Sequence, residues 1–360
     1  MRIMHVLNHT RRLNGHVHAA VDLACAQEKL GHKVCIVSGG GDFDPLLEQN
    51  GVNTRHLSHD RKVGTLLRSF VQLRRHLQEW RPDVVHAHMM TSAVLAYPGC
   101  RMARTPLVTT VHNEFEKSAI LMGLGARVIA VSDAVAASMR RRGVSDKKLG
   151  IVLNGTIGSA RFRERDRNPA DIESPAIVFV GGLHPRKGLP DLLEAFRSVH
   201  GSHPEARLYV VGEGPMEAEY RQQAIDLGCA DAIIFVGAME DPYPYMLAAD
   251  IFVLPSHADP APLVISEARE AGCAVVGTNV DGIPQLLEYG EAGILVPPRQ
   301  PDALAKVLKE LLDDPATLAE WKARSQINVA NLKIDRVASQ TLGIYNSTVP
   351  FNTQILRFQV

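Results

Sequence analysis

Short apolar runs alternate with segments of helical period along the whole chain. RIMHVLN, HKVCIVS, VVHAHM, LVTTVH and RVIAVS read as strands, and AAVDLACAQEKLG, Thr65 to Trp80 and AVAASMRRRG read as helices between them. The second half repeats the plan with AIVFVG, RLYVVG, AIIFVG, DIFVLP, AVVGT and GILV as strands. Strand–helix alternation of this kind predicts a parallel, doubly wound sheet, and two series of it predict two α/β domains with a cleft between them. The stretch SARFRERDRNPADIESP, from Ser159 to Pro175, is charged, bounded by proline and poor in apolar residues, which marks a linker. The expected division is residues 1–160, a linker over 161–175, a second domain over 176–335 and a tail over 336–360.

One stretch stands out, from Pro255 to Pro297. The apolar IFVLP ends like a buried strand, and a short loop leads to a helix whose start is marked by Pro260 and Pro262, since proline is tolerated in a first turn. AVVGT is the next strand, and Asp281 to Pro284 a tight turn. Asp259 and Glu267 lie eight residues apart across the loop and helix, so with Asp259 outside the helix both carboxylates face one cleft at different depths. Free helix amides behind them suit a polyhydroxylated anionic ligand. A plain cap and a surface glutamate are the alternative.

Composition narrows the class. At 360 residues, with 46% hydrophobic and 22% charged residues, the chain is an ordinary globular protein of two domain lengths. No apolar run reaches the roughly 18 residues that span a bilayer. MRIMHVLNH reads as a first strand rather than a signal peptide. The five cysteines are scattered without CxxC spacing, which suggests reduced core residues and a cytoplasmic protein. The balanced net charge hides an asymmetry: residues 1–155 carry 21 Lys and Arg against 12 Asp and Glu, while 156–360 carry 18 against 27. The basic half is suited to an anionic surface, a membrane lipid or an acidic acceptor.

Candidate chemistry follows the strand ends. Gly15 opens a helix after the first strand, where a glycine admits a phosphate to the backbone or simply makes a turn. The glycines at 39–41 fit no GxGxxG spacing, against a dinucleotide fingerprint. Asp42 to Asp44 matches an Asp-x-Asp metal pattern, but a solvated turn is preferred. Leu66, Phe70, Leu73, Leu77 and Trp80 form one stripe at helical spacing, with Arg68, Arg74 and Arg75 away from it and Arg61 and Lys62 just upstream. The stripe is a core face with a solvated basic side, or that side docks on anionic lipid heads with Arg140–Arg142 and Lys147–Lys148. His86 and His88 alternate along a strand end, which aims their rings at opposite faces, away from a shared metal, with His86 structural. His112 lies past a strand's carboxyl end, where open α/β sheets bind ligands. Lys187 stands beside a helix start and complements a diphosphate. Gly212 to Pro215 and Phe235 to Met239 make further turns at strand ends, where a nucleotide would lie.

Taken in order and spacing, the pieces LNG–x15–GHKV, VTTVHNEF, RVIAVSDAVAASMRRRGVSDKKLGIVLNGT, VGGLHPRKG, VVGEGP and PSHADPAPLVISEAREAGCAVVGTNVDGIP resemble the retaining GT-B glycosyltransferases of family GT4. The resemblance runs from the Gly15 loop to about Tyr345 and implies a GT-B fold whose C-terminal domain holds a nucleotide-diphosphate sugar. It implies that Glu267 binds the ribose hydroxyls, Asp259 lies close to the donor sugar, Lys187 binds the diphosphate, and the Gly15 loop closes over the phosphates. It places His112 toward donor sugar and acceptor, the backbone near Gly214, Gly237 and Ala238 beside the nucleotide, and the amides around Ala261 and Leu263 on sugar and phosphate. The tail is expected to return to the first domain. Three positions depart from the family pattern: Asp259 replaces glutamate, Gly182 stands where arginine is usual, with Arg186 as a substitute cation, and Gln285 replaces glutamate. The expected reaction is metal-independent, retaining transfer of a hexosyl unit from a UDP-sugar, or GDP-mannose, to an acceptor hydroxyl on a glycan, lipid-linked or small molecule. No cofactor and no nucleic acid are expected, and a peripheral contact with the inner membrane face is. The rival readings are a non-catalytic sugar-nucleotide or partner-binding protein and an isomerase of the UDP-GlcNAc 2-epimerase type.

Overall fold

A computed structural model describes residues 1–12, 14–58 and 63–349. The chain divides into two compact units, residues 1–163 with 333–360, and residues 164–332.

The first unit is built on seven parallel strands: β1 (Arg2–Val6), β2 (Lys33–Ser38), β3 (Asn53–His56), β4 (Val84–Ala87), β5 (Leu107–Val111), β6 (Arg127–Ala130) and β7 (Leu149–Ile151). Their spatial order is β3-β2-β1-β4-β5-β6-β7, so the winding reverses between β1 and β4. Helices α1 (Gly15–Lys29), α2 (Asp44–Gln49), α3 (Val63–Trp80), α4 (Met90–Ala103) and α5 (Asp133–Arg141) connect them. The strands are apolar on both faces because both are covered: Ile3, Met4 and Val6 of β1 and Val84 and Val85 of β4 are fully buried. Leu73, Leu77 and Trp80 of α3 are buried and Phe70 half-buried, as the helical stripe predicts. Arg61 and Lys62, and the side chain of Leu66, lie outside the described residues.

The second unit repeats the design with β8 (Ala176–Val180), β9 (Arg207–Val211), β10 (Ile233–Gly237), β11 (Ile251–Leu254), β12 (Ala274–Thr278) and β13 (Ile294–Val296), all parallel in the order β10-β9-β8-β11-β12-β13. Here the winding reverses between β8 and β11. The helices are α6 (Leu189–His200), α7 (Glu217–Asp226), α8 (Tyr243–Ala248), α9 (Leu263–Ala271), α10 (Ile283–Leu286), α11 (Pro301–Asp313) and α12 (Pro315–Arg324). Pro260 and Pro262 stand before α9 rather than inside its first turn, because the chain stays extended at Pro262, the cap residue.

After α12 the chain returns to the first unit as α13 (Ile334–Asn346), whose Ile334, Ala338 and Tyr345 enter the same core as Val17, Val21 and Ala24 of α1. Residues 350–360, read from the sequence as partly extended, lie outside the described residues. Among the described residues no helix is long and apolar enough to cross a membrane.

Candidate functional site

In the second unit the chemistry gathers where the winding reverses, the position at which open α/β sheets take ligands. Beyond β8 the chain makes a single turn over Pro185–Lys187, then enters α6 through Gly188. Gly188 has φ +68°, and a Cβ there would lie 1.9 Å from the carbonyl oxygen of Pro255, so only glycine lets this turn press against the end of β11. That approach sets Lys187 across from the loop after β11. Its Nζ donates to Asp259 Oδ2 at 2.6 Å, and both side chains are largely buried. The Asp259 amide donates to Asp281 Oδ2 at 2.8 Å, and Ser256 Oγ donates to Asp259 Oδ2 at 3.4 Å. Asp281 comes from the Asp281–Pro284 turn, and burial pushes its carboxyl above the usual range, against the opposing pull of the hydrogen bond from the Asp259 amide. Arg186 is exposed on the same turn as Lys187, and its charge also acts on Asp281 against burial. Gly182, the departure from arginine, precedes this turn.

Asp259 lies outside the helix and Glu267 one turn inside α9, with both carboxylates mostly buried. Glu267 is paired with a residue that spacing does not reveal: Arg165 Nη2 donates to Glu267 Oε2 at 3.2 Å. The same guanidinium, almost wholly buried, reaches Asp241 at 3.0 Å and Glu270 at 3.5 Å and stacks over the Tyr243 ring at 4.0 Å. One arginine therefore holds three carboxylates, and this orients Glu267. The far side of α9 is pinned by Arg269, fully buried, which donates to the carbonyls of Ser325, Leu286 and Ile327. Ala261 and Leu263 are buried at the front of α9. Gly214 sits where a Cβ would lie 2.5 Å from the Leu183 carbonyl, so the turn after β9 packs directly on the turn after β8. Gly237 closes β10 with φ +87°, and Ala238 is exposed beyond it. Lys187, Asp259, Asp281 and Arg186 thus form one group, and Glu267 with Arg165 a second. Gly214, Gly237 and Ala238 stand at the ends of the neighbouring strands.

In the first unit, Gly15 is the first residue of the 15-residue α1. A side chain there would meet nothing within 4 Å, so packing does not demand a glycine. His112 follows β5 directly and lines a pocket of about 130 Å³ with Asn8, Thr91, Thr110, Asn113 and Ser118. Asp42 and Asp44 staple a loop: Asp42 accepts from the Arg12 amide at 3.0 Å and Asp44 from the Thr10 hydroxyl.

The expectation that His86 and His88 point to opposite faces is wrong. Residues two apart along an extended chain share one face, so His86 in β4 and His88 just past it turn to the same side, and the two ring centroids lie 4.1 Å apart. With His5 they form a cluster in which one ring nitrogen from each histidine lies within 4.8 Å of the other two, close enough for one ion. Every one of those nitrogens already has a hydrogen-bond partner. His86 is structural: it meets Tyr345 Oη through Nδ1 and Thr110 Oγ1 through Nε2. Burial drives the His5 imidazole down to about 4 and that of His112 to about 3, and it drives His86 and His88 well below the ordinary range.

Comparison with known proteins matches residues 160–327 to the family described as glycosyl transferases group 1 and residues 13–156 to glycosyltransferase family 4. The chain is 32% identical over 296 residues to a glycogen synthase of Mycobacterium tuberculosis, covering 74% of this chain and 69% of that protein. It is 29% identical over 282 residues to a phosphatidyl-myo-inositol mannosyltransferase of Mycolicibacterium smegmatis, covering 74% and 71%. Among solved structures, Anabaena HepE in complex with UDP-glucose superposes with a TM-score of 0.80 at 21% identity, covering 96% of this chain and all of that one. WaaG, involved in lipopolysaccharide biosynthesis, superposes with a TM-score of 0.75 at 17% identity, covering 95% and 99%. Both likenesses are of fold, the two-sheet GT-B arrangement.

Proposed function

The chain belongs to the group 1 glycosyltransferase family, and from that premise we propose that it moves a hexosyl unit from a UDP-sugar to an acceptor hydroxyl with retention of the anomeric configuration. That it is a glycosyltransferase acting on nucleotide sugars follows from the family. The finer reading is carried by one observation: Lys187 and Asp259 meet across the point where the second sheet reverses, a cation and a carboxylate ready to divide between a diphosphate and its sugar.

In this reading Lys187, with Arg186 and the amides at the start of α9, takes the charge that develops on the departing diphosphate. Such a fixed electrostatic arrangement needs no metal ion. Asp259 orients the sugar, and Glu267, held by Arg165, binds the ribose hydroxyls. Gly15 leaves room for phosphate beside the start of α1, and Gly214, Gly237 and Ala238 border the nucleotide. The acceptor oxygen attacks from the face the diphosphate leaves, and the leaving phosphate oxygen takes its proton. The choice of UDP leans on HepE, whose structures hold UDP and UDP-glucose. The acceptor class proposed is a glycan or lipid-linked precursor, with α3 of the first unit as a peripheral contact to an anionic membrane.

The test is thermal unfolding of the full chain with UDP, GDP, ADP and their sugars, with and without EDTA. A ligand that binds only the folded state raises the midpoint by mass action. The expected result is a rise with UDP and UDP-sugars that EDTA leaves intact and that Lys187→Ala or Glu267→Ala weakens. A rise with GDP alone would reassign the base. No rise with any nucleotide would replace the reading with that of a non-catalytic partner-binding protein.

A further inference from the structure

Three histidines and a glutamine form an unbroken hydrogen-bond chain through the core of the first unit. Gln27 Oε1 lies 2.8 Å from His5 Nε2, His5 Nδ1 lies 2.8 Å from His88 Nε2, and His88 Nδ1 lies 3.1 Å from His112 Nε2. His112 Nδ1 ends the chain, buried and without a hydrogen-bond partner among the described residues. We propose that Gln27, His5 and His88 are positioning residues that lock His112 in the tautomer with its proton on Nε2, so that Nδ1 presents a lone pair to a substrate hydroxyl. The lock stands on the geometry of the first unit alone. That the hydroxyl belongs to a sugar rests on the glycosyltransferase reading.

A neutral imidazole has one N–H and one lone pair, so each ring passes its orientation to the next. The amide oxygen of Gln27 only accepts, so His5 donates from Nε2 and its Nδ1 accepts. His88 must then donate from Nε2 and accept at Nδ1, and His112 must donate from Nε2. The lone pair left over is His112 Nδ1. The other end of Gln27 agrees: its Nε2 donates to Tyr345 Oη at 3.4 Å, which frees the Tyr345 proton for His86 Nδ1 at 2.5 Å, and His86 Nε2–H goes to Thr110 Oγ1 at 2.6 Å. Turning the Gln27 amide around reverses every bond in both arms and leaves an N–H of His112 buried without an acceptor. An orphaned buried donor is rarer and costlier than an unused lone pair, which favours the first register.

The rings stay neutral because burial holds their pKa values below the ordinary range, with His16 beside His112 lowering it further. A neutral ring is what the chemistry wants here. An imidazolium beside a developing oxocarbenium would repel it, whereas a lone pair accepts from a hydroxyl and leaves the positive charge undisturbed.

The experiment is the imidazole nitrogen NMR spectrum of the full chain with ¹⁵N-labelled histidine at neutral pH, with His112→Ala used to identify the His112 signals. It needs no donor or acceptor, so its outcome is separate from whether transfer is ever seen. The expected spectrum shows His112 neutral with Nε2 protonated and Nδ1 bare. An Nδ1-protonated ring or an imidazolium would overturn the proposal. Gln27→Leu removes the fixed end, and a folded Gln27→Leu chain is expected to show His112 in both tautomers. Gln27→Glu, which still accepts from His5, is expected to restore the single one. An unchanged single tautomer in folded Gln27→Leu would also overturn the proposal, and should that variant not fold, the wild-type spectrum decides alone. With transfer established, His88→Phe is expected to lower kcat roughly tenfold, about one hydrogen bond's worth, with donor KM little changed.

Discussion

At the scale of single residues, the pair proposed to take the donor binds itself. Lys187 and Asp259 are each other's partner at 2.6 Å, so in the proposed reading a diphosphate competes with Asp259 for the ammonium. Lys187→Ala removes the cation and is expected to lower kcat by roughly 10²–10³-fold, the range for losing one preorganised group on a developing charge. Asp259→Asn should behave differently. It releases Lys187, so nucleoside diphosphate should bind no more weakly by titration calorimetry while transfer falls. Weaker binding in Asp259→Asn would mean that the carboxylate helps hold the nucleotide rather than competing with it. The placement of Lys187, Asp259 and His112 beyond strand ends was legible from the sequence because each follows an apolar run, and strand ends are where such sheets work. Arg165 was not, since it lies 102 residues from Glu267 inside a stretch that reads only as a charged linker. His5 was missed for a related reason: a histidine in an apolar run carries no sign of the ring it will meet from another strand. His88 was singled out but assigned to the wrong face.

At the scale of elements, hydrophobic period identified the central strands and most helices and lost two short strands without an apolar run. β3 is Asn-Thr-Arg-His and β7 is Leu-Gly-Ile, and neither has the apolar run that marks a strand. They exist because an edge of the sheet offers them a ladder of partners: Cys35 to Ser38 for β3 and Val128 to Ala130 for β7. The same limit affected α3. Its buried stripe was clear, but Leu67 and Val71, one turn apart and 64% and 65% exposed, were not singled out. They share the exposed side of α3 with Arg68, Arg74 and Arg75, apolar side chains among cations, which suits an interface of anionic headgroups. The full chain is expected to sediment with vesicles containing phosphatidylglycerol and much less with phosphatidylcholine alone. Leu67→Glu with Val71→Glu should abolish this with the unfolding midpoint unchanged. Equal binding to both vesicle types, or binding that survives the double substitution, would remove α3 as the contact.

At the scale of the whole molecule, the two units are expected to respond differently to acid. His5, His86, His88 and His112 all belong to the first unit, and all are kept neutral when folded. Well above pH 6.5 these rings are neutral whether folded or unfolded, and their contribution is complete. As pH falls below 6.5 the unfolded ring takes up a proton that the folded ring refuses. For His5 stability then drops by roughly 1.4 kcal/mol per pH unit until about pH 4. Calorimetry between pH 7.5 and pH 5 should therefore show one transition moving to lower temperature well before the other. A pair of transitions that move together would mean that the rings are charged in the folded state.

The return of α13 to the first unit has a temporal consequence. A ribosome delivers residues 1–163 first, yet the Tyr345 hydroxyl that meets both His86 and Gln27 belongs to a helix that follows the whole second unit. The nascent first sheet must wait, with Gln27 and His86 facing an empty slot, while 169 residues of the second unit are translated. During that interval the second unit, continuous in the chain, is free to fold as soon as it emerges, so the half made last is the half that can finish first.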